Sequence, residues 1–192
     1  MKKTLTALLL VLTLFSSALF AAAYYENGSQ VFTISAGTNI PLFAKSSDKI
    51  EFGPGSNGTN FTVGGFGSID YEVFLHPYIA IGGELGYQFN FIADGMVFSS
   101  VPILFKATYV PLQGTVELPI SLGLGLDYLS YNGKSQICMM GELNVGVRYF
   151  FNQEWGMGLN TGLTFTPEFY SDKTKNGMIG FVPINLTVNY RH

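Results

Sequence analysis

The chain has 192 residues, enough for one domain with a closed core, and its net charge of -3 provides no basic patch of the kind that binds nucleic acid. Charged residues make up 12% of it, against roughly 25% in soluble domains, while aromatics reach 15% and there are 23 glycines. That composition does not fit an ordinary charged, water-facing surface.

In chain order, Lys2 and Lys3 precede an apolar run from Leu5 to Phe20, and Ala21, Ala22 and Ala23 supply the small side chains of a cleavage site before Tyr24. Residues 1–23 read as a signal peptide cleaved after Ala23, and residues 24–192 as the mature domain. The run is short for a membrane span and ends in small residues rather than stop-transfer charges. Cys138 is the single cysteine, so no intramolecular disulfide can form, and His76 and His192 are the only histidines. A protein-built zinc site would lack its usual ligands, and no cofactor is expected.

Beyond Tyr24 apolar residues recur with a period of two. They occupy Phe32, Ile34, Ala36, Ile40 and Leu42 in a first segment, and Phe61, Val63, Ile69, Tyr71, Val73 and Leu75 in a second. The third is "PYIAIGGELGYQFNF", where Ile79, Ile81, Leu85, Tyr87, Phe89 and Phe91 alternate with small or polar residues. The fourth runs over Val101–Tyr109, the fifth over Val116–Tyr128, the sixth over Ile137–Tyr149, the seventh over Trp155–Phe165 and the eighth over Met178–Tyr190. Connections after the even segments are short ("LHP", "VPLQG", "FNQE"). Those after the odd ones are longer or richer in turn residues ("KSSDKIEFGPGSNGT", "ADG", "NG", "SDKTKNG"). This predicts an all-β, eight-stranded antiparallel up-and-down transmembrane barrel, with both termini at the short-turn, periplasmic end.

A soluble barrel has the same period, so the polar parity must decide. It carries Gly82, Gly86, Gly123, Gly125, Gly146, Gly158 and Gly162 with Ser, Thr and Asn between, where a water-exposed wall would carry Lys and Glu. Small residues suit the narrow interior of eight strands. Aromatics also sort toward the two ends, Tyr78, Tyr109, Tyr149, Phe151, Trp155 and Tyr190 at one and Tyr87, Phe89, Phe91, Tyr128 and Phe165 at the other. Two girdles around an aliphatic band are an interface pattern, so outer-membrane lipid is the expected surrounding.

The inward parity then holds Asp70, Glu72, Glu84, Lys106, Glu117, Asp127, Glu142, Arg148, Glu154, Glu168 and Arg191. Isolated charges in a narrow barrel are costly, so the central ones should pair. A two-residue turn at Asn132-Gly133 sets Glu117 opposite Arg148. A three-residue turn at Ala93-Asp94-Gly95 sets Lys106 opposite Gly82, with room for its stem, and diagonal to Glu84. The predicted interior network is Glu84, Lys106, Glu117, Glu142 and Arg148. Acidic residues outnumber basic ones, so any water path would favour cations.

The stretch "VPILFKATYVPLQGTVELPISLGLGLDYLSY" resembles the small outer-membrane barrels of the OmpA transmembrane-domain, OmpX, OmpW and opacity-like type, and the resemblance covers Ser29 to His192. It implies insertion by the barrel-assembly machinery, which commonly reads a terminal aromatic; here Tyr190 is followed by Arg191 and His192, a departure from that pattern. It also implies one of three roles. The first is a structural or surface-interaction barrel, with loop Lys45 to Thr59, flexible and exposed, as the surface for extracellular ligands. The second is a narrow channel for small solutes, as in the OmpW type. The third is lipid-modifying catalysis, which in such relatives uses a His with Ser and an acidic residue near the outer face; both histidines fall at the periplasmic end, so no enzyme activity is expected. Refolded protein run unboiled on detergent gels should migrate apart from the boiled sample, and coincident bands would count against the barrel.

Overall fold

The computed structural model describes residues 24–46, 49–92, 95–131, 133–168 and 176–192. The leader, Ala93, Asp94 and Asn132 of the predicted turns, and most of the "SDKTKNG" loop lie outside the described residues. The strands are β1 (Gln30–Lys45), β2 (Ile50–Phe52), β3 (Gly64–His76), β4 (Ile79–Phe91), β5 (Val97–Tyr109), β6 (Val116–Glu117), β7 (Ile120–Tyr131), β8 (Lys134–Phe150), β9 (Trp155–Glu168) and β10 (Gly177–Arg191). Eight of these, β1, β3, β4, β5, β7, β8, β9 and β10, pair antiparallel in turn, and β10 pairs back onto β1 to close the barrel among the described residues.

Following directly paired residues from Phe43 round the wall through Gly180, Phe165, Gly141, Leu124, Phe105, Gly83 and Tyr71 returns to β1 at Phe32. The offset is eleven residues, one of them the bulge between Pro41 and Phe43. A stagger of about ten over eight strands requires a strand tilt of roughly 40°. Along a tilted axis, strands of 12 to 17 residues reach past the apolar band, which is about 25 Å tall.

Side chains alternate as the period of two demands. On the outer face Ile103, Ile137 and Leu186 are 61%, 69% and 62% exposed, so the large aliphatics form an apolar belt with no protein against it. The fifth predicted segment is broken at Leu118-Pro119 into β6 and β7, since proline has no N–H for the ladder. The register is nevertheless kept, with Glu117 opposite Arg148 and Ile120 opposite Val145, and Gly146 N–H donates to the Pro119 carbonyl. Phe61 departs from the predicted outward parity. It lies before β3, bridges Ile92, and turns its ring inward onto Phe98 and Phe181. Loop Lys45 to Thr59 is also, over its described residues 49–59, more ordered than predicted. Ile50–Phe52 pairs with β1, Thr59 is buried, and its hydroxyl and amide both bond the Gly53 carbonyl.

Three aromatic rings lie on the bare backbone of the glycine directly across the ladder: Phe89 on Gly65, Phe165 on Gly141 and Phe43 on Gly180. A Cβ at position 141 would sit 2.2 Å from the Phe165 ring. Gly141→Val should therefore displace that ring and destabilise the barrel by about 1–3 kcal/mol. Urea unfolding in lipid vesicles, followed by the fluorescence of the single tryptophan Trp155, reads the loss, and Phe165→Leu in the same background should shrink it.

Candidate functional site

The lumen is built in three tiers. The middle tier centres on Lys106 of β5, whose Nζ lies 2.5 Å from Asp70 Oδ1 of β3, 2.7 Å from Glu84 Oε2 of β4 and 3.7 Å from Glu142 Oε1 of β8. All four side chains are buried. Asp70 and Glu84 are directly opposite in the β3–β4 ladder, so without the ammonium two carboxylates would face each other across one strand spacing. Asn144 donates to Glu142, and Glu84 Oε1 and Glu142 Oε2 receive no hydrogen bond among the described residues. Three carboxylates thus share one cation, an acidic excess held inside the wall. Next to them Thr108 donates to Glu72, and Arg148 lies 3.7 Å from the other Glu72 oxygen. A cavity of about 20 Å³ lined by Asp70, Glu72, Lys106, Thr108 and Arg148 lies here, room for about one water molecule.

The tier at the short-turn end is closed by residues preceding β1. Tyr25 is 2% exposed; its ring stacks on Phe74 at 3.9 Å and its hydroxyl donates to Glu117 Oε1 and Oε2 at 2.9 and 3.0 Å. Burial, then the Glu117 charge beside it, pushes the Tyr25 hydroxyl above its ordinary pKa, so it stays protonated and donates. Arg191 Nη1 lies 2.5 Å from Glu117 Oε1, and its guanidinium is held between the Tyr24 and Phe150 rings at 3.7 Å from each. Val31, Ala80 and Val110 complete an apolar collar around Tyr25 and Phe74.

At the loop end Ile92, Phe98, Leu129 and Phe181 point inward, with Phe61, Met96, Cys138 and Ile179 packed on them. Beneath them Asn39 donates to Gln88 and Asn90, Gln88 to Ser100, and Ser100 to Asp127 at 2.5 Å, with Thr166 donating to the other Asp127 oxygen. Above them opens a cavity of about 620 Å³ whose walls include Tyr131, Lys134 and Gln136.

Of the residues named from sequence, Glu84, Lys106 and Glu142 come together in one cluster. Glu117 and Arg148 are cross-strand neighbours in the predicted register, but the cation at Glu117 is Arg191, and Arg148 reaches Glu72. Gly82 faces Lys106 as counted, and Gly123 lies on the other side, where a Cβ would lie in ordinary contact with the Lys106 stem at 3.6 Å and more tightly against Leu104 Cδ1 and Glu142 Cβ at 3.2 and 3.3 Å. Glu154 and Glu168 are not buried, and Glu154 lies exposed in the β8–β9 turn. The sequence reasoning missed Asp70 and Glu72 as partners and Tyr25 as a plug. A register count through "LHP" would have found Asp70 only if it had included the bulge between Phe74 and His76, which shifts the β3–β4 pairing by one.

A protein-family model matches residues 15–190. The chain belongs to that family. A protein of Treponema pallidum (strain Nichols) is 28% identical over 134 residues, covering 70% of this chain, and the chain spans 61% of that relative's length. One of Borreliella burgdorferi is 26% identical over 178 residues, covering 81% of each. Among solved structures, Neisserial surface protein A is similar with a TM-score of 0.55 at 18% identity, covering 84% of this chain and 97% of that one. The fold is that of the small eight-stranded outer-membrane barrels.

Replacing Lys106 by Met leaves Asp70, Glu84 and Glu142 facing one another without a cation. It should cost about 3–5 kcal/mol, as removal of one partner from a buried ion cluster does. Adding Asp70→Asn and Glu84→Gln should return much of that loss, and urea midpoints of the vesicle-refolded variants measure both.

Proposed function

We propose that the protein is an integral outer-membrane barrel with a closed lumen, whose role is structural or surface-interacting and is exercised through its loop end. The observation that carries this reading is the Lys106 cage. Its four charged side chains come from β3, β4, β5 and β8 and meet at the middle of the lumen, with a cavity of about 20 Å³ beside Lys106 and Asp70. An apolar cap at the loop end and the Tyr25 plug at the other support the same reading. A permeating ion would have to part the Lys106 pairs and displace an aromatic cluster. The loop end carries the β2 segment, Ile50–Phe52, of loop Lys45 to Thr59 and the 620 Å³ cavity, which gives an extracellular ligand more to contact than the short periplasmic turns do. Outer-membrane lipid is the solvent that the exposed aliphatic belt requires, with insertion by the barrel-assembly machinery.

A non-enzymatic role goes with this reading, because His76 and His192 both lie at the periplasmic end, away from the loops. The alternative is a narrow channel of OmpW type, and the excess of lumen carboxylates would make it cation-selective. Planar-bilayer recording on refolded protein, repeated with Glu117→Ala and Arg148→Ala, distinguishes the two. Silence is expected from the parent, while discrete cation-selective openings altered by the two substitutions would establish the channel instead.

A further inference from the structure

Tyr24 and Tyr25 are held differently from everything around them. Among the described residues neither takes part in a strand ladder; their amides both donate to Gln113 Oε1, at 2.8 and 3.3 Å, and the remaining hold is side chain. Gln113 is itself anchored, donating through Nε2 to the Pro77 and Val110 carbonyls. The pair is joined to β1 by "ENGS", a turn closed by Ser29 N–H to the Glu26 carbonyl and pinned to β3 by Gly28 N–H donating to the Phe74 carbonyl, which fixes the pivot. Gly28 in that turn has φ of +94° with open space around the position a Cβ would take. That backbone conformation favours glycine.

Two further features bear on what this arrangement can do. A cavity of about 160 Å³, lined by Tyr24, Tyr25, Ser29, Gln153, Glu154, Arg191 and His192, lies beside the pair on the periplasmic side and gives it somewhere to move. The Glu117–Arg191 ion pair at 2.5 Å, with Arg191 also donating to the Gln153 and Gly114 carbonyls, stays complete when Tyr25 leaves. Departure therefore leaves Glu117 paired with Arg191 through Oε1, at the cost of the Tyr25 bond to its Oε2 and the Tyr24 hydroxyl bond to the Gln153 carbonyl, and it breaks no strand-to-strand ladder bond.

We propose that Tyr24–Tyr25 is a hinged stopper: turning about Asn27–Gly28, it lifts out of the periplasmic floor and admits water to the lumen segment lined by Thr108, Ser121 and Arg148, while the strand ladders stay intact. The Phe74 stack and the forked bond to Glu117 set how firmly it is seated. The Lys106 cage lies further along the lumen, so the device operates whether or not the barrel conducts, and access rather than current is the readout.

The test places a reporter thiol above the stopper, Ser121→Cys in a Cys138→Ser background, in nanodiscs. The rate of modification by the anionic reagent 2-sulfonatoethyl methanethiosulfonate is followed by mass. Ser121 faces the lumen and is 8% exposed. Tyr25→Ala should speed modification at least about tenfold, as release of a locally held segment does. Tyr25→Phe, which keeps the stack and loses the forked bond, should fall between Tyr25→Ala and the parent. Tyr149→Ala on the lipid face should leave the rate where it was. The proposal is overturned if Tyr25→Ala and the parent label at the same rate, fast or slow, or if Tyr149→Ala accelerates labelling as much. Heat-shifted migration shows which variants have folded, and Tyr25→Phe carries the test alone if the alanine variant does not.

Discussion

The interior of an eight-stranded barrel is too narrow to hydrate a charge freely and too closely walled to let one turn away, so inward ions must be met by counter-ions or hydrogen-bond donors from the other strands. Lys106 is where that constraint is most concentrated. Its ammonium binds carboxylates from β3 and β4 and approaches one from β8, and it alone prevents Asp70 and Glu84 from facing each other bare across the ladder. Two other features of the wall serve the same cluster: the diagonal placement of Glu84 and the Asn144 amide that steadies Glu142. Oxygens left without a hydrogen bond at Glu84 and Glu142 mark a cluster more acidic than its one cation can neutralise. Such groups are tolerated at a cost to stability.

The wall itself was largely legible in the residues. Alternation is a backbone property, and it placed the outward faces of β4, β5, β7, β8, β9 and β10 because lipid favours large apolar side chains over most of each face. The register of β4–β5 and β7–β8 followed from turn length alone, even though Ala93, Asp94 and Asn132 lie outside the described residues. Pro119 shows the limit of that kind of reading: it interrupts a strand without moving its register, which no periodicity reports.

The lumen was less legible, for a physical reason. Inward side chains meet across the barrel as well as along the ladder, and a contact such as Arg148 to Glu72, from β8 to β3, depends on tilt and stagger rather than on pairwise register. Bulges add to this. The one between Phe74 and His76 decides whether Asp70 or its neighbour faces Glu84, and nothing in "LHP" announces it. The two apolar caps were likewise hidden, since Phe74, Ala80, Val110, Phe98, Leu129 and Phe181 sit on a parity that the rest of each strand marks as polar. Apolar residues at both ends of a polar parity are the signature of a lumen sealed at its mouths.

The seam between β1 and β10 has a kinetic side. Val31 pairs with Arg191 and Lys45 with Met178, a ladder longer than any other in the barrel and the one whose partners stand furthest apart along the chain. Seven of the eight ladders join wall strands that follow one another along the chain, with at most the short β2 or β6 between them, and can form locally, whereas this one must wait until the whole polypeptide is present. The contact order of the fold is therefore concentrated in a single step. Until that step is complete, two bare strand edges are exposed in whatever medium holds the chain, and its commitment to the membrane is decided there.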